Sequence, residues 1–180
     1  MVDLWVQFVF AWWILFPAYA ANVFPPLVRG KIKLDENRKL KDGKRILGDG
    51  KTLEGIIAGV VMGTAIGALE WAVMPFINAY SAQFGVVFPH MSIFVGFLIA
   101  FGAVSGDIAA SFIKRRIGMR RGESALFADQ LDFIAGAIVF SFAFTQISIY
   151  MIMIMLVVTP AIHFTSCIIG YKLGVKKVPW

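Results

Sequence analysis

The sequence predicts an all-α integral membrane protein with five transmembrane helices, an N-terminus outside the cell and a cytoplasmic C-terminus. Of its 180 residues, 59% are hydrophobic and 16% are charged, whereas soluble domains have about 45–50% apolar and about 25% charged residues. The apolar residues form uncharged runs, several of them longer than the roughly 20 residues that a crossing helix needs. This composition, with one cysteine, excludes a disordered chain, a disulfide scaffold and a soluble nucleic-acid-binding protein.

The basic residues predict the orientation in the membrane. The 17 lysines and arginines form three clusters, which lie at 29–51, at 114–121 and in the tail from 172. Short loops rich in lysine and arginine stay on the cytoplasmic side. We therefore expect cytoplasmic loops at 29–52 and 114–130, and a cytoplasmic tail. The net charge of +6 then belongs to one face of a multi-pass protein in the cell membrane, and no nucleic-acid partner is expected.

The uncharged runs divide residues 1–180 into five helices within one membrane domain. No basic residue precedes the first run, which contains Trp12 and Trp13, so we do not expect a cleaved signal peptide. An even number of crossings must separate successive basic clusters. The turn between the last two helices is tight, and a re-entrant helix pair is an alternative there. The expected helices are 4–28, 53–75, 90–113, 131–147 and 149–171.

The second helix carries a glycine at every fourth residue from Gly55 to Gly67. Such a row lets a neighbouring helix approach backbone to backbone. We expect close helix packing along this face, and contact with a lipid chain is the alternative. Glu70 lies near the outer end of the same helix. It is expected to be a buried hydrogen-bonded or interfacial acid, separate from the cytoplasmic site.

The third helix brings an acidic residue and basic residues onto one face at its cytoplasmic end. Asp107, Ser111 and Lys114 or Arg115 follow a spacing of i, i+4 and i+7 or i+8, which places them on one side of a helix. Asp107 lies about 10 Å deeper in the membrane than Lys114, at 1.5 Å per residue. This face can therefore present a carboxylate below a ring of positive charge.

Two further aspartates open the fourth helix on the same side of the membrane. Asp129 and Asp132 are i, i+3 neighbours, so they also share a face and can converge with Asp107. Three carboxylates repel one another unless a cation such as Mg²⁺ joins them, and that site leaves room for phosphates. Alternatively, Asp129 and Asp132 stabilise a helix N-terminus while Asp107 pairs with a lysine. We favour the metal site.

The first cytoplasmic loop contains the run Gly48-Asp49-Gly50-Lys51-Thr52, preceded by Lys44 and Arg45. The glycines let backbone N–H groups approach a ligand, the cations supply counter-charge, and Thr52 can cap the next helix. This arrangement favours a phosphate cradle at a helix N-terminus. Binding of anionic lipid headgroups is the alternative. Nearby, Asn22 precedes two prolines that would end the first helix and point its amide inward.

These motifs resemble those of a known enzyme family. Ser111-Phe-Ile-Lys-Arg115, followed by Asp129-Gln-Leu-Asp132, resembles the signature of the CDP-diglyceride synthetases. The short chain, the Asn22…Pro25 turn and the loop 42–52 are similar to the archaeal branch, the CDP-archaeol synthases. The resemblance implies a Mg²⁺-dependent cytidylyltransferase. Its substrates would be CTP and an isoprenoid ether-lipid phosphate, 2,3-bis-O-geranylgeranylglycerol 1-phosphate, and its products CDP-archaeol and pyrophosphate.

Together, the motifs and the resemblance give a set of candidate site residues. The catalytic candidates are Asp107, Asp129, Asp132 and Lys114, and the three aspartates are also the metal candidates. The nucleotide-binding candidates are Asn22, Lys44, Arg45, Gly48, Asp49, Gly50, Lys51, Thr52, Ser111 and Arg115. A CDP-alcohol phosphotransferase and a membrane transporter with an acidic pair are the alternative functions. The oligomeric state is not predicted.

Overall fold

A computed structural model describes residues 3–28, 30–119, 123 and 128–172 of the chain. Within those ranges the fold is all-α, as predicted, and the extended backbone is limited to two isolated bridges, Lys33–Thr52 and Lys39–Arg45. A short 3₁₀ helix, Ala82–Phe84, follows the third helix. The helices are α1 (Leu4–Val23), α2 (Pro25–Val28), α3 (Leu53–Ser81), α4 (Ile93–Arg116), α5 (Ala128–Ser141) and α6 (Ile149–Lys172).

Three apolar segments of the described chain are long enough to cross a membrane. They are Leu4–Val28, Leu53–Phe84 and Ile93–Arg116, and α5 and α6 contain shorter apolar stretches, Gln130–Ser141 and Ile149–Ile162. The chain is therefore a multi-pass membrane protein. The expected number of five crossings and their orientation stay predictions.

The helix ends differ from the expected ones where prolines and caps act. The expected helix 4–28 is divided at Phe24 into α1 and α2, because Pro25 and Pro26 follow. In contrast, α3 continues through Pro75 to Ser81, six residues past the expected end at 75. Membrane helices tolerate a proline when neighbouring groups satisfy the freed backbone.

Two polar residues beyond the expected helix end at 75 lie in the last turns of α3 and hold the connection that follows. Asn78 Oδ1 accepts a hydrogen bond of 2.8 Å from the N–H of Phe88, and Ser81 Oγ donates to the carbonyl of Val86 at 2.7 Å. The next helix begins at Ile93, three residues later than expected, because Ser92 caps it by accepting from the N–H of Val95.

The last two helices meet at a longer connection than expected. Helix α5 ends at Ser141, six residues before the expected end at 147, and Ser141 Oγ donates to the carbonyl of Ala137 at 2.7 Å. Helix α6 begins at Ile149 as expected. Its first turn is capped by Ser148, whose Oγ accepts from the N–H of Met151.

The glycine row of α3 packs against protein, as the sequence predicted. Gly55, Gly59, Gly63 and Gly67 are all buried. A Cβ atom at Gly63 would lie 2.6 Å from the carbonyl oxygen of Pro17 in α1, and a Cβ at Gly67 would lie 2.5 Å from Cα of Gly96 in α4. The row thus lets α3 contact α1 and α4 through backbone atoms, and it does not form a lipid groove.

A second glycine contact sets the position of α5. Gly106 of α4 lies against the backbone carbonyl of Asp132, and Gly102 lies against the carbonyl of Gly136. Because Gly106 has no side chain to separate the helices, α5 packs directly on α4 at this point. Asp132 therefore lies at the same level as Asp107. The packing of two helices therefore determines where two acidic residues meet.

Candidate active site

The loop 30–52 and α4 are joined by an ion pair. Lys51 Nζ contacts Asp107 Oδ2, and both side chains are partly exposed. Lys51 reaches this position because Thr52 begins α3 as its N-cap, with Thr52 Oγ1 accepting from the N–H of Gly55 at 3.3 Å. The pairing of Asp107 with a lysine is thus observed, and it occurs between two residues that the sequence assigned to one site.

Both residues of this ion pair line a cavity of about 110 Å³. Five of the candidate residues line it, together with Pro25 and Pro26. The direction of the Asn22 amide stays a prediction. The five are Asn22, Gly50, Lys51, Thr52 and Asp107.

Asp132 is the second carboxylate of the site. It lies within electrostatic range of Asp107, Lys51 and Lys114, and its Oδ1 accepts from the N–H of Phe133 at 2.6 Å. The backbone of Asp129 lies in the first turn of α5, but its side chain falls outside the described part of the structure. Two of the three expected carboxylates therefore come together. A cluster of three metal-ligating side chains is not found among the described residues.

The basic loop is organised by Asp35, a residue that the sequence analysis did not select. Its side chain is fully buried, and it accepts hydrogen bonds from Arg45 at 2.6 and 3.0 Å. It also accepts from the backbone N–H groups of Leu47 at 3.1 Å and Gly48 at 3.0 Å. The Arg45 guanidinium, followed by these N–H groups, holds the pKa of Asp35 well below its usual value. The signal in the sequence is an acidic residue inside a strongly basic loop.

Several expected phosphate-binding residues take part in the internal network of the loop. Arg45 also contacts Asp49 at 3.1 Å, and Lys33 contacts Asp49 at 2.7 Å. Hydrogen bonds from Lys33 and then Arg45 lower the pKa of Asp49. Gly48 has a positive φ of 101°, which favours glycine at that turn. Arg45, Gly48 and Asp49 shape the loop, and their contact with a nucleotide stays a prediction.

Arg116, at the end of α4, clamps this loop onto the helix bundle and was also not selected from the sequence. Its guanidinium contacts Asp42 at 2.5 Å and donates to the backbone carbonyls of Arg45 and Lys44. In return, Lys44 Nζ donates to the carbonyl of Arg116 at 2.7 Å. Lys44 therefore holds the loop against α4 and does not line the cavity around Lys51.

Comparison with known proteins assigns this chain to a family. The family model described as CarS-like, CDP-archaeol synthase, matches residues 1–180. The chain belongs to the CDP-archaeol synthase family. It is 40% identical over 172 residues to the CDP-archaeol synthase of Thermococcus onnurineus, covering 96% of both chains. It is 41% identical over 174 residues to that of Methanospirillum hungatei, covering 92% of this chain and 100% of the relative.

A solved structure supports the same conclusion for the fold. The chain is similar, with a TM-score of 0.72 and 35% identity, to an intramembrane enzyme for archaeal membrane lipid biosynthesis. The likeness covers 87% of this chain and 91% of the other. The expected family is therefore confirmed, and with it the expected enzyme class. This CDP-archaeol synthase family member is a transferase of the cytidylyltransferase type that acts in membrane lipid synthesis.

The remaining candidates of this family member lie on α4, one to two turns beyond Asp107. Ser111 is buried, and Lys114 and Arg115 lie in the last turn of the helix, where cations are favoured by the helix dipole. They do not line the cavity of about 110 Å³, although Lys114 is close enough to act on Asp132. Their contact with substrate stays a prediction.

Proposed function

We propose that the chain transfers CMP from CTP to 2,3-bis-O-geranylgeranylglycerol 1-phosphate, giving CDP-archaeol and pyrophosphate. The observation that carries this proposal is the ion pair between Lys51 and Asp107, with Asp132 beside it. A phosphate-binding cation and two carboxylates thus meet where a glycine-rich loop leads into the N-terminus of α3. Phosphoryl transfer needs this combination, because positive charge must bind the phosphates and carboxylates must hold a metal ion.

We propose five crossings, with the N-terminus outside and the active site facing the cytoplasm. The loop 30–52 and the end of α4 carry most of the basic residues, and Arg116 joins them through the backbone carbonyl of Lys44 at 3.3 Å. Lysine- and arginine-rich loops stay in the cytoplasm, which is also where a nucleoside triphosphate is available. This orientation lets the lipid phosphate reach the site sideways from the inner leaflet, with its chains left in apolar surroundings.

The two described carboxylates fit a divalent cation. Asp107 and Asp132 offer oxygen atoms only, from two helices in backbone contact at Gly106, and hard cations such as Mg²⁺ prefer oxygen ligands. Asp129, three residues before Asp132 on α5, is the proposed third ligand. When bound, Mg²⁺ neutralises charge on the phosphates of both substrates.

The chain's own residues then bind and orient the two phosphates. Lys51 leaves Asp107 and binds the β- and γ-phosphates of CTP. Lys114 and Arg115 bind either the lipid phosphate or, together with Lys51, the triphosphate. An oxygen of the lipid phosphate forms a bond to the α-phosphorus of CTP, and the bond from that phosphorus to the β-phosphate oxygen breaks. The electron pair leaves with pyrophosphate. Since a phosphate nucleophile is already ionised at pH 7, the step requires no general base.

The size of the cavity implies that the loop moves when nucleotide binds. Its volume is about 110 Å³, whereas sites for molecules of this size measure roughly 300–1,000 Å³. Lys51 and Asp107 both line the cavity, and their contact joins the loop to α4. Breaking that contact opens space between Gly50 and α4, so release of Lys51 accompanies nucleotide binding.

Pyrophosphate release by purified protein in detergent tests the proposal. We expect release only when CTP, Mg²⁺ and the ether-lipid phosphate are all present, with little release when ATP replaces CTP. An ester-linked phosphatidate in place of the ether lipid measures the preference for archaeal substrate. Production of CMP from CDP-archaeol, without pyrophosphate, would instead indicate a CDP-alcohol phosphotransferase. Absence of turnover with every nucleotide in folded protein would contradict the proposal.

A further inference from the structure

A second groove lies between α1 and α3, toward the end of these helices that is distant from the ion pair of Lys51. Its volume is about 410 Å³, within the range of roughly 300–1,000 Å³ usual for small-molecule sites. Glu70 follows Gly55 by fifteen residues on α3, which corresponds to about 22 Å along the helix. The groove is lined chiefly by Trp12, Trp13 and Phe16 of α1 and by Leu69, Glu70 and Val73 of α3.

Two polar atoms of residues that line this groove are shielded from water and without a hydrogen-bond partner among the described residues. They are Oε2 of Glu70 and Nε1 of Trp13. Glu70 is only 6% exposed, and the other lining residues are apolar or aromatic. An unpaired buried polar group costs free energy that a ligand can recover. An ionisable residue inside a membrane usually marks a functional site.

The outer edges of the groove are open to the lipid phase. Phe16 and Leu69 on the two rims are 53% and 61% exposed, and both helices belong to segments long and apolar enough to cross the membrane. A molecule that enters the groove therefore comes from the bilayer. Its apolar part lies along the aromatic and aliphatic rims, and its polar part must reach Glu70 and Trp13.

The two polar atoms define the group that such a molecule presents. The indole N–H can only donate a hydrogen bond, so the ligand must offer a lone pair. An unprotonated oxygen of the Glu70 carboxyl group accepts, so the ligand must also offer a proton. A hydroxyl group supplies both, whereas an ammonium group has no lone pair and an ether oxygen has no proton.

We propose that this groove binds a lipid alcohol from the bilayer. Its hydroxyl oxygen accepts from Nε1 of Trp13, its hydroxyl proton is donated to Oε2 of Glu70, and its hydrocarbon chain lies between Phe16 and Leu69. The site is independent of the nucleotide site. Its occupancy and the cytidylyltransferase reaction can therefore be tested separately in the same preparation.

Quenching of tryptophan fluorescence by brominated chains tests the proposal directly. The protein carries Trp5→Phe, Trp71→Phe and Trp180→Phe, so that Trp12 and Trp13 at the groove are the reporters. The probes are 11-bromo-1-undecanol, its methyl ether and 1-bromoundecane, titrated in the same detergent. We expect half-maximal quenching by the alcohol at about tenfold lower concentration than by the other two, since two hydrogen bonds are gained.

Variants connect this preference to the two polar atoms. Glu70→Leu should remove the preference for the alcohol, and Trp13→Phe, read through Trp12, should reduce it. Glu70→Gln keeps an acceptor oxygen and should keep most of the preference. Thr64→Val is the matched control on α3, because Thr64 Oγ1 donates to the carbonyl of Val60 and does not line the groove. Pyrophosphate release by Glu70→Leu reports whether the protein remains folded.

Four results would overturn the proposal. Equal quenching by the three probes would show that the groove binds hydrocarbon chains without recognising a hydroxyl group. A preference for the alcohol that survives in Glu70→Leu would show that Glu70 does not bind the hydroxyl. Stronger quenching by 11-bromoundecylamine, lost in Glu70→Gln, would assign the groove to a cationic ligand. A dimer in detergent that dissociates in Glu70→Leu would assign it to a second copy of the chain.

Discussion

Asp35 binds the guanidinium of Arg45 through two hydrogen bonds, of 2.6 and 3.0 Å, from a buried position within the loop 30–52. The same carboxylate accepts the N–H groups of Leu47 and Gly48. The path of the loop between Arg45 and Lys51 therefore depends on one acidic side chain. Asp35 positions the loop residues that we propose to bind the nucleotide, and it does not itself line the cavity around Lys51.

Replacement of Asp35 by alanine should loosen the loop and weaken CTP binding. The change removes a charged hydrogen-bond acceptor from five donors, two on Arg45 and the backbone N–H groups of Asn37, Leu47 and Gly48. We expect a loss of about 2 kcal/mol of local stability. The KM for CTP should rise more than the KM for the lipid, since Lys51 is held by the same loop. Steady-state kinetics and the thermal midpoint in detergent measure the two effects. Glu36→Gln, which alters an exposed pair with Arg38, is the control, and an equal effect of both variants would contradict this role.

The contribution of Asp35 to stability should depend on pH in a defined direction. The pKa of Asp35 in the folded protein is lowered by Arg45 and the loop N–H groups, so the folded state favours the charged form. Its stabilising contribution is then fully present above the ordinary pKa of about 4 and is lost as the pH falls toward the lower folded value. Thermal midpoints of the wild type and Asp35→Asn should converge below pH 4. A difference that grows on acidification would contradict the assignment.

Replacement of Lys51 by methionine should separate nucleotide binding from metal binding. The variant loses the cation that contacts Asp107, so the KM for CTP should rise by at least about tenfold, as for loss of a charged hydrogen bond, while the KM for the lipid changes less. In the absence of nucleotide, binding of Mn²⁺ should strengthen because Asp107 is no longer paired. Paramagnetic resonance of free Mn²⁺ measures this binding.

Lys39→Met removes a cation from the same loop without disturbing Asp107, and it serves as the control for Lys51→Met. It should leave both the Mn²⁺ affinity and the KM for CTP close to the wild-type values. Stronger Mn²⁺ binding in both variants would indicate a general effect of loop charge. Equal increases in the KM values for CTP and lipid in Lys51→Met would contradict a triphosphate role for Lys51.

Local patterns in the sequence predicted the parts of this protein that depend on neighbouring residues. The apolar runs predicted membrane helices, the four-residue spacing of glycines predicted the packing face of α3, and the prolines after Asn22 predicted the break that follows α1. The loop motif and Asp107 lie together through the ion pair of Lys51 with Asp107, which is the pairing that the sequence offered as the alternative to a metal site. These inferences required only periodicity, capping and charge.

Contacts between distant segments were not predictable in the same way. Asp35 and Arg116 organise the loop through partners 10 to 74 residues away, and the sequence showed them only as members of a charged run. Arg45 was assigned to phosphate, yet its guanidinium already contacts two carboxylates. The end of α3 was placed at Pro75, because sequence alone does not show that neighbours satisfy the helix beyond it.

Substitution of Gly67 by alanine should destabilise the helix bundle. A Cβ atom there would lie 2.5 Å from Cα of Gly96, so the backbones of α3 and α4 would have to move apart. That movement would lose packing along both helices. Overpacking of this kind costs about 1–3 kcal/mol, so we expect a lower thermal midpoint in detergent. Gly50→Ala is the matched control, since a Cβ at Gly50 meets no atom within 4 Å. A midpoint lowered equally by both changes would contradict the packing argument.

Substitution of Asp132 by asparagine should abolish turnover while the protein stays folded. The backbone carbonyl of residue 132, which contacts Gly106, is unchanged, so the packing of α5 on α4 is retained. The substitution replaces one of the two described carboxylates that we propose to hold Mg²⁺ with a neutral amide. Binding of that ion needs carboxylate charge. Pyrophosphate release should fall by at least about a hundredfold, the upper end of the range for altered metal-site groups. Glu36→Gln should keep its activity, and near-normal turnover by Asp132→Asn would remove the metal site from the mechanism.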